Sequence, residues 1–373
     1  MPINKSVHNC LKMIVNECIN PILYNYKKMN QMINKGNLTL KQLPIQVTPQ
    51  YLKPSKFLGS EFQTIIYNDI DFVEILEIKV DTITFIVNHY SSSKWENIHK
   101  KRDVKCRLSK ILDALSITIG MSNWSSCNLE GKQVIVNMFD IDKPKEFITN
   151  NKVITPLEVN SAYTIPCRYK QDVLEIVIFR NEEWEKVLFH ELMHLYSYDI
   201  ESNDKRINSR LTRIFNVEHN FQLAEAYSEF WARVLWCLWK SNGNLREFSL
   251  EINKQQQWSI YQGIVVLTNT GLIDTVLGEK TDIVKNYKEK TSAFSYYVIT
   301  GFMMSNWKNI LLWCYENNDI PFKFNYSLTN ISSFISLFRD IVNDEGTLYL
   351  WWIEEQKLPK YFYKYALTAR MTI

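Results

Sequence analysis

The chain has 373 residues, with 43 Lys and Arg against 40 Asp and Glu, a formal net charge of +3. So mild a balance argues against charge-driven binding of nucleic acid, and 46% hydrophobic with 13% aromatic residues excludes a disordered chain. The length suffices for a large core and for two domains.

Residues 5–35 pattern as a helix that ends near Gly36, and Met1 to Asn20 lacks the apolar run of a signal peptide. Pro44, Pro49 and Pro54 punctuate an extended connector. Strand-like runs fill Phe72 to Tyr90, clearest at Thr82 to Val87. The basic run Lys94 to Arg107 reads as the start of a solvated helix face, with a helix from Asp103 to Ile117 and a strand from Gln133 to Phe139. The seven cysteines (Cys10, Cys18, Cys106, Cys127, Cys167, Cys237, Cys314) are scattered and form no C-x-x-C. Neither a disulfide framework nor a zinc ribbon is expected, which suits a reducing compartment and a cytoplasmic protein.

Leu157 to Thr164 is a candidate strand. Asn160, Ser161, Ala162 and Tyr163 within it are candidates for an exposed edge that pairs with an extended peptide substrate; an ordinary hairpin strand is the alternative. Val173 to Arg180 (VLEIVIFR) alternates and is β-branched, hence a strand. Asn181 then reads as a helix N-cap, with Glu182 and Glu183 in the first turn where carboxylates suit the helix dipole. The helix it opens carries His190-Glu191-Leu192-Met193-His194. Positions four apart share a helix face, so both imidazoles can meet one metal ion, and Glu191 lies beside that axis. Val187, Leu188, Phe189, Leu192, Met193, Leu195 and Tyr196 make the surroundings apolar. Charged and imidazole groups in such a setting need a partner, and a zinc ion is the simplest one for all three.

A catalytic zinc takes three protein ligands. A metzincin completion would need Gly and His where this chain has Ser197 and Ile200, so it fails. Asp199, before the turn-rich Glu201 to Asp204, is a weak third-ligand candidate, and His219 is a rival. The better candidate lies in Leu223 to Ala232 (LAEAYSEFWA), where Glu225 and Glu229 share a helical face. Two such carboxylates repel by about 0.2–0.5 kcal/mol unless a cation or histidine intervenes. Glu225 is therefore expected as third ligand and Glu229 as the carboxylate that orients a ligand histidine; pairing of Glu229 with Arg233 on a solvated face is the alternative.

A strand feeding an H-E-x-x-H helix, followed by a helix with Glu and a second carboxylate one turn later, resembles the gluzincin branch of the zincin metallopeptidases. Ala224 stands where the thermolysin-like members have Asn, and the 31-residue spacing from His194 to Glu225 exceeds that of the shortest members. Val159 to Thr164, Ile178 to Trp184, Glu225 to Ala232 and Phe294 to Tyr297 together resemble uncharacterised metallopeptidase-like proteins of large DNA viruses. The abundance of Asn, Ile and Lys fits an AT-rich viral genome and, with it, host cytoplasm or virion.

The resemblance implies an α+β, zincin-like fold: a mixed sheet with the active-site helix packed against a mostly helical C-terminal half. The expected segments are an N-terminal extension and connector (1–60), a sheet-bearing half (61–200) and a helical half (201–373). It implies one Zn2+, a peptide or protein substrate, Glu191 as general base, and Tyr296 or Tyr297 as oxyanion donor. Neither nucleic acid nor membrane is an expected partner; Tyr297 to Tyr315, though apolar, carries Thr300, Ser305, Asn306, Lys308 and Asn309 and reads as a buried helix. Arg370 is a candidate for a substrate carboxylate. A carboxypeptidase, another exopeptidase, or a non-catalytic module held by zinc remain as alternatives.

Overall fold

The computed structural model describes residues 5–44, 58–92, 104–147, 153–169, 171–200, 205–278, 282–365 and 368–371. Two compact units emerge. One comprises residues 15–144 and 160–198; the other comprises 1–14, 145–159 and 199–373. This departs from the expected three consecutive segments, because residues 1–60 make no unit of their own. The Lys5–Ile14 helix packs on the Trp307–Asn317 helix, whereas the Asn20–Asn34 helix packs on the Val104–Ser122 helix. Between them, Val15–Ile19 is a π turn where one unbroken helix was expected.

The first unit carries a six-stranded mixed sheet. Its strands are β1 (Lys41–Pro44), β2 (Phe72–Val80), β3 (Ile83–Ser91), β4 (Gln133–Phe139), β5 (Ala162–Thr164) and β6 (Val173–Ile178), in spatial order β1-β2-β3-β4-β6-β5. Strands β3, β4 and β6 run parallel; β1, β2 and β5 complete the two margins in antiparallel pairing. Alternate apolar positions decide the register: Phe85 and Val87 of β3, Val134 and Val136 of β4, and Leu174 and Ile176 of β6 are all buried. Parallel strands need crossovers, and helical crossovers cover their faces. The Val104–Ser122 helix supplies the one from β3 to β4 and packs on β3. It runs past the expected end at Ile117 because Ile119 and Met121 are also buried.

Pro44 ends the marginal strand β1, a position a residue without an N–H tolerates; Pro49, Pro54 and the basic residues from Lys94 to Arg102 lie outside the described residues. Leu157 to Val159, expected as strand, form a helical turn, Pro156–Val159. Thr155-Pro156-Leu157-Glu158 is the reason: the Thr155 N–H donates to Glu158 Oε2 at 2.6 Å, half of a capping box, with Pro at the first helical position.

The second unit is helical. Its longest elements are Lys205–Phe215, Leu223–Lys240, Leu245–Thr270, Trp307–Asn317, Leu328–Val342 and Glu345–Tyr365. Phe215, Phe221, Phe294, Phe302 and Phe338 make tilted and edge-on ring contacts at its centre. No helix among the described residues is long and apolar enough to cross a membrane.

Candidate metal centre

Strand β6 runs almost directly into the Trp184–Leu195 helix. The junction is built around Arg180, which the sequence reading did not single out. Its side chain is fully buried and donates to three carbonyls: Asn160 at 2.9 Å, Lys143 at 2.7 Å and Pro144 at 2.6 Å. The guanidinium lies over the Phe62 ring, 4.7 Å from its centroid. One cation thus fixes the loop after β4 and the segment leading into β5 to the end of β6.

Asn181 is not the N-cap. Its Oδ1 accepts from Lys110 Nζ at 2.6 Å and its Nδ2 donates to Asp142 Oδ1 at 2.8 Å. The cap is Glu183, in the left-handed region at φ 59°, and Glu185 rather than Glu182 or Glu183 occupies the first turn. The side chain of Asn181 is engaged by distant residues, which no local pattern reports.

The helix is buried nearly all round, from Lys186 to Met193 and again at Leu195, the expected state for a helix apolar on every face. His190 and Glu191 are buried and His194 is half-buried. The His190 and His194 Nε2 atoms are 3.1 Å apart, with ring planes at 70°. Two nitrogens bound tetrahedrally to one zinc ion stand about 3.3 Å apart at ordinary Zn–N lengths. The pair therefore fits a single small cation. The helix end is held too. Ser197 turns at φ 55°, its N–H and that of Tyr198 close onto His194 and Met193 carbonyls, and Tyr196 donates to Thr118 O at 3.0 Å. Tyr198 likewise donates to the Met121 carbonyl.

Of the residues expected to line the substrate, Asn160 and Ser161 are buried and Ala162 and Tyr163 half-buried. Only Ala162 to Thr164 are in β5, the terminal strand of the sheet order, antiparallel to β6. Burial, with Glu175 and Tyr67 nearby, pushes the Tyr163 hydroxyl up to about 12, so it stays protonated. A disulfide, not expected, joins Cys127 to Cys167 just beyond β5. Two cysteines 40 apart in sequence carry no spacing signal, and only folding brings their Cα atoms to 6.1 Å. The bridge departs from the reducing environment inferred from cysteine spacing. Ser126, beside Cys127, bonds the Tyr196 and Ser197 carbonyls, so the bridged loop also grips the end of the H-E-x-x-H helix.

The carboxylate candidates belong to the helical unit. Glu225 is half-buried in the first turn of the Leu223–Lys240 helix. That turn is braced by Ser295, whose Oγ accepts the Gln222 N–H at 3.1 Å. Glu229 accepts from Arg233 Nε at 3.0 Å, and both side chains are buried rather than on a solvated face; Arg233 also reaches Ser259. His219, the rival ligand, is held by Glu289 at 2.8 Å and packs edge-on to Phe221 and Tyr287. Asp199 is buried, and Glu201 to Asp204 lie outside the described residues.

Tyr296 and Tyr297 fall in a π turn, Phe294–Ile299. Tyr297 is buried and donates its hydroxyl proton to the Ala369 carbonyl at 2.6 Å; Tyr296 is half-buried. The Arg370 carbonyl accepts from Trp258 and Gln262, each at 3.0 Å, which ties the C-terminal segment to the Leu245–Thr270 helix. No protein-family model, curated protein or solved structure matches this chain significantly.

Proposed function

We propose that this chain is a zinc-dependent peptidase of the gluzincin kind. The observation that carries the reading is the 3.1 Å approach of two imidazole nitrogens on an apolar helix, with a buried carboxylate between them in sequence. Glu191 is the telling residue. A structural zinc site has no use for a carboxylate that is not a ligand, whereas peptide hydrolysis needs a base at that place.

His190 and His194 are two of the ligands and Glu225 is assigned as the third. Zinc, when bound, supplies a Lewis acid that brings the pKa of water from 15.7 to about 7. Glu191 accepts the proton of the attacking water and delivers it to the leaving amine. Glu229, with Arg233 as its ion-pair partner, orients a ligand histidine. Tyr296 is favoured over Tyr297 as the donor to the developing oxyanion, because the Tyr297 proton already serves Ala369. Tyr296 sits in a π turn, an irregularity frequent at functional sites. The margin of β5 offers an extended peptide a strand to pair with.

The test is metal analysis of the purified chain beside cleavage of a peptide library by the wild type and by Glu191→Gln. The expected result is zinc retained in both and cleavage reduced by about 10²- to 10⁴-fold in the variant. Zinc without Glu191-dependent cleavage would overturn the enzyme reading and leave a zinc-held module. Glu225→Ala is expected to weaken zinc at least about tenfold; unchanged affinity would remove Glu225 from the ligand set.

A further inference from the structure

The C-terminal end of the H-E-x-x-H helix is gripped by both segments that the Cys127–Cys167 bridge joins. Cys127 is in the loop between the Val104–Ser122 helix and β4, and Cys167 opens a 3₁₀ turn beyond β5. Next to Cys127, Ser126 donates its backbone N–H to the Tyr196 carbonyl and its hydroxyl to the Ser197 carbonyl, each at 3.2 Å. From the other segment, Cys167 Sγ is 3.7 Å from Ser197 Oγ. A sulfur in a disulfide carries no proton, so the hydroxyl is the donor. Ser197 is three residues after His194, turns at φ 55°, and closes its N–H on the His194 carbonyl at 3.0 Å. The turn that ends the helix at His194 is therefore clamped between two segments with one covalent link.

Opening that link loosens the clamp without dismantling its surroundings. Tyr196 and Tyr198 still anchor on the Thr118 and Met121 carbonyls, and Lys132 Nζ still donates to the Gln171 carbonyl at 2.8 Å. These contacts keep the helix on the sheet-bearing unit. They do not hold Cys167 against Ser197, because β5, which leads to Cys167, pairs with β6 over three residues only. Groups that support a ligand histidine govern how tightly it holds a metal.

The bridge is also where thiol chemistry is directed. Cys127 is half-buried and Cys167 is 2% exposed, so an incoming thiolate reaches the Cys127 sulfur. Cys10, Cys18, Cys237 and Cys314 are buried free thiols. Burial pushes Cys10 and Cys18 up to about 12 and raises Cys237 and Cys314 as well, which keeps all four protonated and inert. Cys106 is free and exposed, and a serine there removes it from any measurement.

We propose that the Cys127–Cys167 bridge is a dithiol-operated switch on the histidine pair, fixing His194 for tight zinc binding when closed and weakening that binding when reduced. The switch rests on the zinc reading of His190 and His194. A thiolate of the dithiol bonds to Cys127 Sγ, the S–S bond breaks, and its electron pair leaves on Cys167 Sγ, where the Ser197 hydroxyl is in place to donate to it. The second dithiol sulfur, as thiolate, then displaces Cys127 Sγ and closes the reductant's own disulfide. Each cysteine sulfur takes one of the two protons that the dithiol gives up. The bridge thus gains two electrons and two protons, and the dithiol loses the same.

The test compares the oxidised full chain with the chain reduced by dithiothreitol and freed of it by anaerobic gel filtration, both carrying Cys106→Ser. Each is titrated with Zn2+ in competition with a chromophoric chelator. The oxidised chain is expected to bind zinc, and His190→Ala to abolish that binding. Reduction is expected to weaken zinc by at least about tenfold and to speed amide exchange at Ser197 and Tyr198, both reversed on reoxidation. Ser126→Ala keeps the bridge but removes its neighbour's hydroxyl from the Ser197 carbonyl; a smaller loss of zinc affinity is expected, which probes the clamp even if the reduced chain folds poorly. Zinc affinity unchanged or tighter on reduction, or unchanged in Ser126→Ala, would overturn the switch and leave the peptidase reading standing. Alkylation of Cys127 and Cys167 without prior reduction would do the same. An oxidised chain that binds no zinc would overturn both.

Discussion

Arg180 shows how much one side chain decides in this protein. It is a cation with no exposed surface, and three backbone carbonyls accept its N–H groups. Arg180→Ala would strand three buried acceptors at about 1–3 kcal/mol each. The expected outcome is a loss of at least about 3 kcal/mol, read as a lower urea midpoint. Asp113 makes a different prediction. Its carboxyl binds a proton up to about pH 7 in the folded chain because burial and Glu185 disfavour the charge, whereas an unfolded Asp releases it near pH 3.9. Between those values the native state holds more protons than the unfolded state, so this group makes stability fall as pH rises from about 4 to about 7. Asp113→Asn should flatten that decline, as measured by denaturation midpoints across the same range. Neither residue declares itself in the sequence, where Arg180 reads as the polar end of a strand and Asp113 as one more charge on a helix. The histidine pair does declare itself, because His190 and His194 are four apart and a helix brings them together by its own pitch.

Secondary structure followed the same division. Strands β2, β3, β4 and β6 lie where alternation and β-branched residues put them, and the H-E-x-x-H helix follows β6 as expected. The departures have local causes that compete with periodicity. Glu158 reaches back to the Thr155 N–H and turns an apparent strand into a helical turn. Asn181 is taken by Lys110 and Asp142, so the cap moves to Glu183. The Cys127–Cys167 bridge ties the short strand β5 to the loop that grips the end of the H-E-x-x-H helix. Closing a chain segment of 40 residues stabilises by about 4 kcal/mol in the chain-entropy picture. The Cys127→Ser, Cys167→Ser double variant should lose stability of that order. Hydrogen exchange should show the loss first at Ala162 to Thr164, whose ladder is three residues long.

Over the whole chain, spatial order and sequence order diverge. The polypeptide leaves one compact unit after Ile14, returns for residues 145–159, leaves again, and comes back at Asp199. The N-terminal helix is therefore part of the helical unit's core: Val7, Cys10, Leu11 and Ile14 are buried, and Cys10 donates to the Leu311 carbonyl at 3.7 Å. Each buried aliphatic side chain is worth about 1.5–3 kcal/mol, against a typical total of about 5–15 kcal/mol. Deleting residues 1–14 should abolish cooperative thermal unfolding of the helical unit in near-UV circular dichroism; a detachable extension would leave the transition unchanged. By itself, the sequence determined the α+β class, most of the sheet strands and the approach of His190 to His194, because helix pitch and strand alternation are local rules. Only the tertiary structure decided which units the segments join, that Cys127 meets Cys167, that Glu229 and Arg233 pair out of solvent, and that Glu74 is buried against His89 and Arg107. Those outcomes depend on how the elements pack against one another, and burial together with neighbouring charges and hydrogen bonds sets how strongly their charges and protons are held.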